Sequence, residues 1–348
     1  MSSLAKLKGL RVALMGGAGF IGHNLALKLK EHGAEPHVVD GLQVNHLGYY
    51  TTGYTSNPNA ERYITFLNER LQLLREAKIA LHIVDIRDYG ITSKTLTAIR
   101  PDAIIHLAAV AHANRSNKDP YSTFDHSMRT LENVLDIARN EDTHVIYLSS
   151  SMVYGNFSEK SATEDQICEP LGIYGALKFG AEKLVIGYGQ AFKLPFTIIR
   201  PSALYGERCV SRRVGQAFIE NALLGTDLTI NGDGTDELDF TYVQDVVQGL
   251  SLALISPNAQ GEIFNITYGS ARSVMDMAEI VMDEFPGLGL TMKARDTLMP
   301  ERGTLDISKA RRLMGYKPTY ALESGFRDYI KWYKTIAKAN PSLFSINN

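Results

Sequence analysis

An apolar stretch that runs into a cluster of glycines constrains this chain more than any other feature. Residues 11–15 have the length and apolar character of a buried strand, and glycines follow with GxxGxxG spacing over 16–22. A helical pattern comes next, and a second short apolar stretch, 36–40, ends in Asp40. This succession of strand, glycine turn, helix, strand and acid is typical of a unit that binds a dinucleotide.

Each part of the unit has a physical role. The first glycine permits a tight turn, the second lets the backbone approach the pyrophosphate, and the third lets helix and strand pack closely. Unpaired N–H groups and the positive dipole end of the helix face the phosphates. An acid at position 40 would bind the adenosine ribose hydroxyls and repel a 2′-phosphate, so NAD is favoured over NADP. The residues expected to bind the cofactor here are Gly16, Gly19, Phe20, Ile21, Gly22 and Asp40.

The bulk composition is that of an ordinary globular protein and excludes several classes. With 348 residues, 45% hydrophobic and 21% charged, the chain can form one large α/β domain and a smaller one. A net charge of −2 gives no electrostatic case for binding nucleic acid or an anionic membrane. We expect no secretory signal, no membrane span and no metal site, and the cysteines, Cys168 and Cys209, are expected to be free thiols in the cytoplasm.

Predicted strands and helices alternate up to about residue 201, which indicates a doubly wound parallel sheet. The fold class is therefore α/β, with a Rossmann-type sheet and a smaller C-terminal α/β substrate domain. We place the NAD-binding domain at 8–201, with late elements at about 238–268, and the substrate domain at 202–237 and 269–340. Between the second and third strands, 41–60 is rich in tyrosine and is expected to be a structured loop of undetermined role, and 61–77 has a helical pattern.

A tyrosine and a lysine on one predicted helix suggest a proton-transfer site. Tyr174 and Lys178 lie on the same helical face, about 6 Å apart along the axis. A nearby ammonium favours the phenolate and lowers the tyrosine pKa from about 10 toward neutrality. Serines 149–151 end a predicted strand at the crevice edge, where a hydroxyl can bond the oxygen that Tyr174 deprotonates. The alternatives are a surface Tyr–Lys pair and an ordinary polar strand end.

Together these stretches resemble the extended short-chain dehydrogenase/reductases that act on nucleotide sugars, the NAD-dependent nucleotide-sugar epimerases and dehydratases. The resemblance covers roughly residues 9–332. Its motifs are GGAGFIG at 16–22, DIR at 85–87, HLAA at 106–109, SSSMVYG at 149–155, YGALK at 174–178, YG at 205–206, GDG at 232–234, DFTYV at 239–243 and DISKA at 306–310.

This resemblance implies roles for individual residues. Ser150, four residues before Tyr154, would be the catalytic hydroxyl beside Tyr174, and Lys178 would also bond the nicotinamide ribose. The other cofactor contacts that it implies are Asp85 and Ile86 at the adenine, together with Leu107, Ala108, Ala109 and Tyr174. Relatives commonly pair the helices predicted here at 121–139 and 174–192 as a four-helix bundle, so a homodimer is expected.

Departures from the family pattern narrow the reaction. Relatives that eliminate water typically carry Asp-Glu after the catalytic Ser/Thr, whereas Ser151 and Met152 follow it here and are expected substrate contacts. Neither protonates a leaving hydroxyl usefully, and the glutamate usual in UDP-glucuronate decarboxylases is also absent. What remains is oxidation and re-reduction without elimination, as in 4-epimerases.

The predicted substrate domain departs as well. Ala203 replaces a usual Asn, and Leu238 replaces an Arg that holds the nucleotide phosphate. Pyrophosphate recognition needs such cations, and the arginines that could supply one are Arg208, Arg212, Arg213 and Arg302. Arg208 and Arg302 are our predicted substrate contacts among them. His112 and Arg115, after the HLAA turn, are further candidates.

We therefore predict NAD-dependent epimerisation of a nucleotide-diphosphate sugar, with C4 as the favoured carbon. Tyr174 takes the hydroxyl proton as NAD takes the hydride, the keto sugar turns over, and the hydride returns to the other face. A nucleotide keto-sugar reductase and an epimerase at another carbon stay open as alternatives. A non-catalytic NAD-binding sensor or scaffold is a third, against which Ser150, Tyr174 and Lys178 argue. The nucleotide and the sugar are left undetermined.

Overall fold

The structure, a computed structural model, describes residues 3–43, 47–51, 58–111, 113–141, 143–296 and 298–344. Its strands are β1 (Arg11–Met15), β2 (Glu35–Asp40), β3 (Ala80–Ile83), β4 (Ala103–His106), β5 (His144–Leu148), β6 (Ser161–Ala162), β7 (Phe196–Arg200), β8 (Leu204–Tyr205), β9 (Leu228–Asn231), β10 (Glu237–Leu238), β11 (Thr241–Tyr242), β12 (Glu262–Asn265), β13 (Arg272–Ser273), β14 (Leu290–Lys293) and β15 (Thr304–Leu305).

The helices that alternate with these strands are α1 (Phe20–Glu31), α2 (Leu47–Thr51), α3 (Ala60–Glu76), α4 (Tyr89–Ile99), α5 (Ala113–Lys118), α6 (Pro120–Phe124), α7 (Thr130–Ala138), α8 (Gly172–Phe192), α9 (Val214–Leu223), α10 (Val243–Ile255), α11 (Val274–Glu284), α12 (Ser308–Met314) and α13 (Leu322–Ala339). No helix in the described ranges is long and apolar enough to cross a membrane.

A seven-stranded parallel sheet forms the centre of the molecule, in the order β12-β7-β5-β4-β1-β2-β3. The chain moves outward from β1 in one direction and then returns to start the other half at β4. The strand order therefore reverses between β1 and β4, which is where ligands bind in open α/β sheets. This sheet confirms the predicted Rossmann-type α/β fold.

Helices cover both faces of the sheet. On one face α1 packs against α10, and buried side chains such as Leu14, Leu25 and Val246 belong to one core. On the other face α7 contacts α4 and α8, and Val134 and Val185 belong to a second core. Both faces are thus buried, as a parallel sheet requires.

A third core lies outside the sheet, formed by α9, α11 and α13 with their short strands. Helix α3, from the connection between β2 and β3, contributes Tyr63 and Phe66 to this core. The Phe66 ring lies 4.9 Å from the Trp332 ring of α13, centre to centre. The long connection after β2 therefore belongs as much to the smaller unit as to the sheet; the domain boundaries given above remain a prediction.

The segments 41–77 and 121–139 can be compared with the helices and loops that the sequence pattern predicted. The helical pattern of 61–77 corresponds to α3, whereas much of the tyrosine-rich loop 41–60 lies outside the described residues. The single helix expected at 121–139 is divided into α6, a π-helical turn at Asp125–Arg129, and α7. A π turn adds one residue to a helical turn, and the apolar pattern alone did not reveal it.

Candidate functional site

The turn between β1 and α1 has room for glycine only. Gly16 has a φ of +80°, and a Cβ atom there would lie 2.7 Å from the backbone nitrogen of Ala108. A Cβ atom on Gly22 would lie 2.5 Å from the Cα atom of Gly17. No side chain caps the first N–H groups of α1, where Gly19 is the N-cap residue. The turn therefore offers close backbone approach and free helix amides, and it fits the pyrophosphate of NAD.

Asp40 ends β2 beside this turn. Its Oδ2 atom accepts a 3.0 Å hydrogen bond from the Ala18 amide, and its Oδ1 atom accepts one of 2.8 Å from the Leu42 amide. Burial raises the carboxyl pKa, while these two amides and the more distant Arg70 lower it. The carboxylate is thus held by backbone groups at the place where an adenosine ribose would lie in this fold.

The predicted adenine contacts follow β3. Asp85 forms an ion pair of 2.7 Å with Arg87 and accepts a hydrogen bond of the same length from Gln43 Nε2. These bonds to Arg87 lower the pKa of Asp85 to about 2. Ile86 is buried. Asp85 is therefore ionised and fixed at the carboxyl end of an outer strand.

The segment after β4 borders the same crevice. The Leu107 amide donates a 2.8 Å hydrogen bond to the Met15 carbonyl oxygen, which joins the ends of β4 and β1. Leu107 and Ala109 line a cleft of about 500 Å³ at the carboxyl edge of the sheet. Of the further candidates, His112 lies outside the described residues, and Arg115 is exposed on α5.

The three residues predicted to be catalytic line this cleft together. Tyr174 and Lys178 lie one turn apart on α8, and the Ser150 hydroxyl is hydrogen-bonded to that of Tyr174. The Lys178 Nζ atom donates a 2.6 Å hydrogen bond to the Leu148 carbonyl oxygen and lies 4.8 Å from the centre of the Tyr147 ring. A phenol, a hydroxyl and an ammonium thus converge beside the end of β5.

Burial and one arginine set the protonation of these groups. Burial raises the pKa of Tyr174, while Arg213 and the Ser150 hydrogen bond lower it. Burial lowers the pKa of Lys178 to about 7, and Glu182 acts in the opposite direction. Lys178 is not among the groups that shift the Tyr174 pKa, and its ammonium donates to the Leu148 carbonyl. The cation that favours the phenolate is Arg213.

A buried ion pair below the cleft holds α8 against the sheet. Glu182 and Arg200 are 1% and 3% exposed, and their Oε2 and Nη2 atoms lie 2.7 Å apart. Ser149, at the end of β5, donates its hydroxyl to the same carboxylate. Sequence analysis missed this arrangement, since its partners are far apart in the chain. The signal in the sequence is Arg200, a charged residue that ends the otherwise apolar strand β7.

The two positions that distinguish elimination from epimerisation are both buried in the cleft wall. Ser151 donates a 3.1 Å hydrogen bond to the hydroxyl of Ser202. Met152 lines the cleft and offers a thioether. Neither residue supplies an acidic proton.

Arginines from the smaller unit line the opposite wall. The Arg302 Nε atom is buried and has no hydrogen-bond partner among the residues described. Burial lowers its pKa to about 10, which nearby Asp236 opposes. Arg295, which sequence analysis did not identify, forms an ion pair of 3.0 Å with Asp236. A guanidinium whose buried Nε–H group is unused is suited to bind an anion.

Arg208 lies elsewhere: it is not among the residues that line the cleft. Its Nε atom donates a 3.0 Å hydrogen bond to His23 Nε2, and its Nη1 atom lies 3.1 Å from Glu69 Oε1. His23 Nδ1 donates in turn to the Gly19 carbonyl oxygen, and burial lowers the His23 pKa, which keeps the ring neutral. The Arg208 carbonyl accepts hydrogen bonds from Arg70 of α3. This position favours holding a loop over contacting the substrate.

Comparisons with known proteins show the family of this chain. The family model described as "NAD dependent epimerase/dehydratase family" matches residues 12–267. The uncharacterized UDP-glucose epimerase YtcB of Bacillus subtilis is 29% identical over 94% of this chain and 99% of its own length. UDP-glucuronate 4-epimerase 4 of Arabidopsis thaliana is 29% identical over 93% and 75%. The structure of UDP-glucuronic acid 4-epimerase from Bacillus cereus, in complex with UDP-glucuronic acid and NAD, superimposes with a TM-score of 0.83 at 27% identity, covering 94% of this chain and 100% of that one.

Proposed function

The chain belongs to the NAD dependent epimerase/dehydratase family, and we propose that it interconverts two UDP-sugars that differ in configuration at C4. Its cofactor is NAD, which the glycine turn and Asp40 fit. The UDP group and the C4 position are inferred from similarity to the relatives named above. The observation that supports the proposal best is the convergence of Ser150, Tyr174 and Lys178 in one cleft at the switch point of the sheet.

In this reaction Tyr174 accepts the proton of the C4 hydroxyl. Ser150, which bonds the Tyr174 hydroxyl, donates to the same sugar oxygen and holds it in line. NAD supplies the hydride acceptor and donor when bound. Lys178, whose pKa burial lowers to about 7, would hold the nicotinamide ribose, and Tyr174 returns its proton when the C4 oxygen is restored. General base catalysis of this kind typically contributes about 10²–10⁴-fold to the rate.

The same cleft disfavours elimination of water. A leaving hydroxyl must be protonated by a positioned acid, and Ser151 and Met152 provide none. The groups that shift the Tyr174 pKa are burial, Arg213 and Ser150, with no carboxylate among them. Because neither Ser151 nor Met152 offers an acidic proton, the keto sugar keeps all its substituents until it is reduced again.

We assign the diphosphate to the wall that contains Arg302. Its buried, unused Nε–H donor and full charge suit a phosphate oxygen. Arg295 lies on the same wall and is already neutralised by Asp236, so it contributes less net charge. Arg302 is thus our replacement for the family arginine, whose position is occupied by Leu238 in this chain.

We also propose a homodimer that forms through α8. Ala176 and Gly180 are exposed on this helix, and no atom lies within 4 Å of a Cβ position on Gly180 or Gly187. Tyr121, on neighbouring α6, is 86% exposed. Small residues let helices approach closely, and an exposed aromatic side chain gains from burial between them. Light scattering that gives a monomer mass at micromolar concentration would contradict the dimer.

The cytoplasm is the compartment we expect, since Cys168 and Cys209 are both free thiols.

The reaction itself is tested in deuterated water with a panel of UDP-sugars and catalytic NAD. A C4 epimerase gives an isomer of unchanged mass and no solvent deuterium on carbon, because the transferred hydride does not exchange. Loss of one water would indicate a dehydratase. Deuterium at C3 or C5 would indicate epimerisation through an enol, and a need for stoichiometric reduced cofactor would indicate a reductase.

A further inference from the structure

The arginines that line the cleft differ in whether a carboxylate neutralises them. Arg212 bonds Glu220 at 3.3 Å, and Arg295 bonds Asp236 at 3.0 Å. Arg213 has no carboxylate within ion-pair distance in the described ranges; its Nη2 atom donates a 3.3 Å hydrogen bond to the Ala111 carbonyl oxygen. Besides the arginine assigned to the diphosphate, Arg213 is therefore the arginine at the cleft that lacks an anionic partner among the described residues.

Its place in the fold brings this cation to the reacting end of the cleft. Arg213 is the N-cap residue of α9, in the smaller unit, and its side chain reaches Ala111 after β4 on the sheet side. It thus lines the cleft, and its charge lowers the pKa of both Tyr174 and Arg302.

The shape of a sugar nucleotide then limits what Arg213 can bind. In a pyranose, the substituent on C5 is adjacent to C4, whereas the diphosphate is attached through C1 across the ring. With C4 at Tyr174 and the diphosphate at Arg302, a cation whose charge acts on both residues is placed to face the C5 substituent, which lies alongside the ring between them. A carboxylate at that position would neutralise the guanidinium and accept two parallel hydrogen bonds from it.

We propose that Arg213 binds a carboxylate on C5 of the sugar, so that the substrate is a nucleotide uronic acid, of the UDP-glucuronate kind, rather than a neutral hexose. This inference rests on the proposed function for the orientation of the sugar. It adds a specificity determinant outside the family motifs, and relatives named for UDP-glucose and for UDP-glucuronate are equally similar to this chain, at 29% identity each.

The test is calorimetric binding to the NAD-loaded protein, with UDP-glucuronate, UDP-glucose and UDP as separate ligands. The wild type is expected to bind UDP-glucuronate more tightly than UDP-glucose. Arg213→Gln should weaken UDP-glucuronate about 10- to 100-fold, as expected for loss of a charged hydrogen-bonded pair, and leave UDP-glucose and UDP nearly unchanged. Arg213→Lys keeps the charge and should give an intermediate loss.

The matched control is Arg212→Gln, which removes the neighbouring positive charge and should leave the ratio between the two sugars unaltered. Equal weakening of all three ligands by Arg213→Gln would assign Arg213 to the diphosphate and overturn the proposal. A wild type that binds UDP-glucose as tightly as UDP-glucuronate would also overturn it. If Arg213→Gln does not fold, the Arg213→Lys series decides between the same outcomes.

Turnover separates this inference from the proposed function. Arg213-dependent binding of the uronate without epimerisation would support the specificity determinant and reject the epimerase. Epimerisation of UDP-glucose alone, unaffected by Arg213→Gln, would support the epimerase and reject the specificity determinant.

Discussion

Replacing Tyr174 by phenylalanine tests the centre of the mechanism. The change removes a proton acceptor and the hydrogen bond to Ser150, while the ring keeps its place on α8. Loss of a general base lowers turnover by about 10²–10⁴-fold, equivalent to roughly 3–5 kcal/mol in the barrier. Loss of one hydrogen bond costs folding stability only about 0.5–1.5 kcal/mol.

The assay measures product by chromatography and NAD content by absorbance after denaturation. We expect Tyr174→Phe to fold, to contain as much NAD as the wild type, and to turn over at about 1% of its rate or less. Tyr205→Phe is the matched control. Tyr205 lines the same cleft, but its buried hydroxyl has no hydrogen-bond partner among the residues described, so its removal should leave turnover within a few-fold.

Near-normal turnover of Tyr174→Phe would move the base to another residue. Equal losses in both phenylalanine variants would show that the cleft tolerates no change in packing, and would remove the evidence for a specific proton acceptor.

Three further changes test other parts of the structure. Asp40→Ala should weaken NAD binding and reduce the ratio of NAD affinity to NADP affinity, measured by titration of the cofactor-free protein. A wild type that binds NADP more tightly than NAD would contradict the role assigned to Asp40. Glu182→Gln leaves Arg200 buried without its counter-ion and should lower the free energy of unfolding in urea by about 3–5 kcal/mol; a loss below about 1 kcal/mol would refute it. Arg213→Gln should raise the Tyr174 pKa, because a cation that favours the phenolate is removed, and should therefore shift the acidic limb of the kcat/KM profile to higher pH. An acidic limb that does not shift would show that Arg213 does not influence the protonation of Tyr174.

The parts of the site that the sequence predicted are those written in short, continuous segments. The glycine turn, Asp40 and the pair formed by Tyr174 and Lys178 are set by local spacing, and the sheet order brings their strand ends to one edge. The family, the NAD cofactor and the α/β fold are confirmed on this basis. Local spacing works here because a parallel sheet places every strand end on the same side.

Contacts between distant segments were not available from spacing. Arg208 and His23 are 185 positions apart, and their hydrogen bond depends on how the loop after β8 crosses α1. Arg295 belongs to no motif, and its pairing with Asp236 brings together two loops of the smaller unit. The sequence shows a missing arginine at Leu238 but contains no spacing rule that identifies its replacement.

One loop connects the cofactor end of the molecule to the sugar end. At its start Arg208 bonds His23, which bonds the Gly19 carbonyl of the glycine turn. At its end Arg213 enters the cleft. Helix α3 holds the start of the loop through Arg70, and the same helix packs in the core of the smaller unit.

These hydrogen bonds give the long segment after β2 a structural role. An epimerase regenerates its NAD in every turnover, so the cofactor need not leave between substrates. A segment that ties the glycine turn to the substrate loop restrains the two halves of the cleft together, and every contact broken by opening adds to the cost of releasing the cofactor. The same contacts fix the start of the loop that carries Arg213, and the bond to the Ala111 carbonyl restrains its guanidinium, as the proposed discrimination between a carboxylate and a neutral group requires.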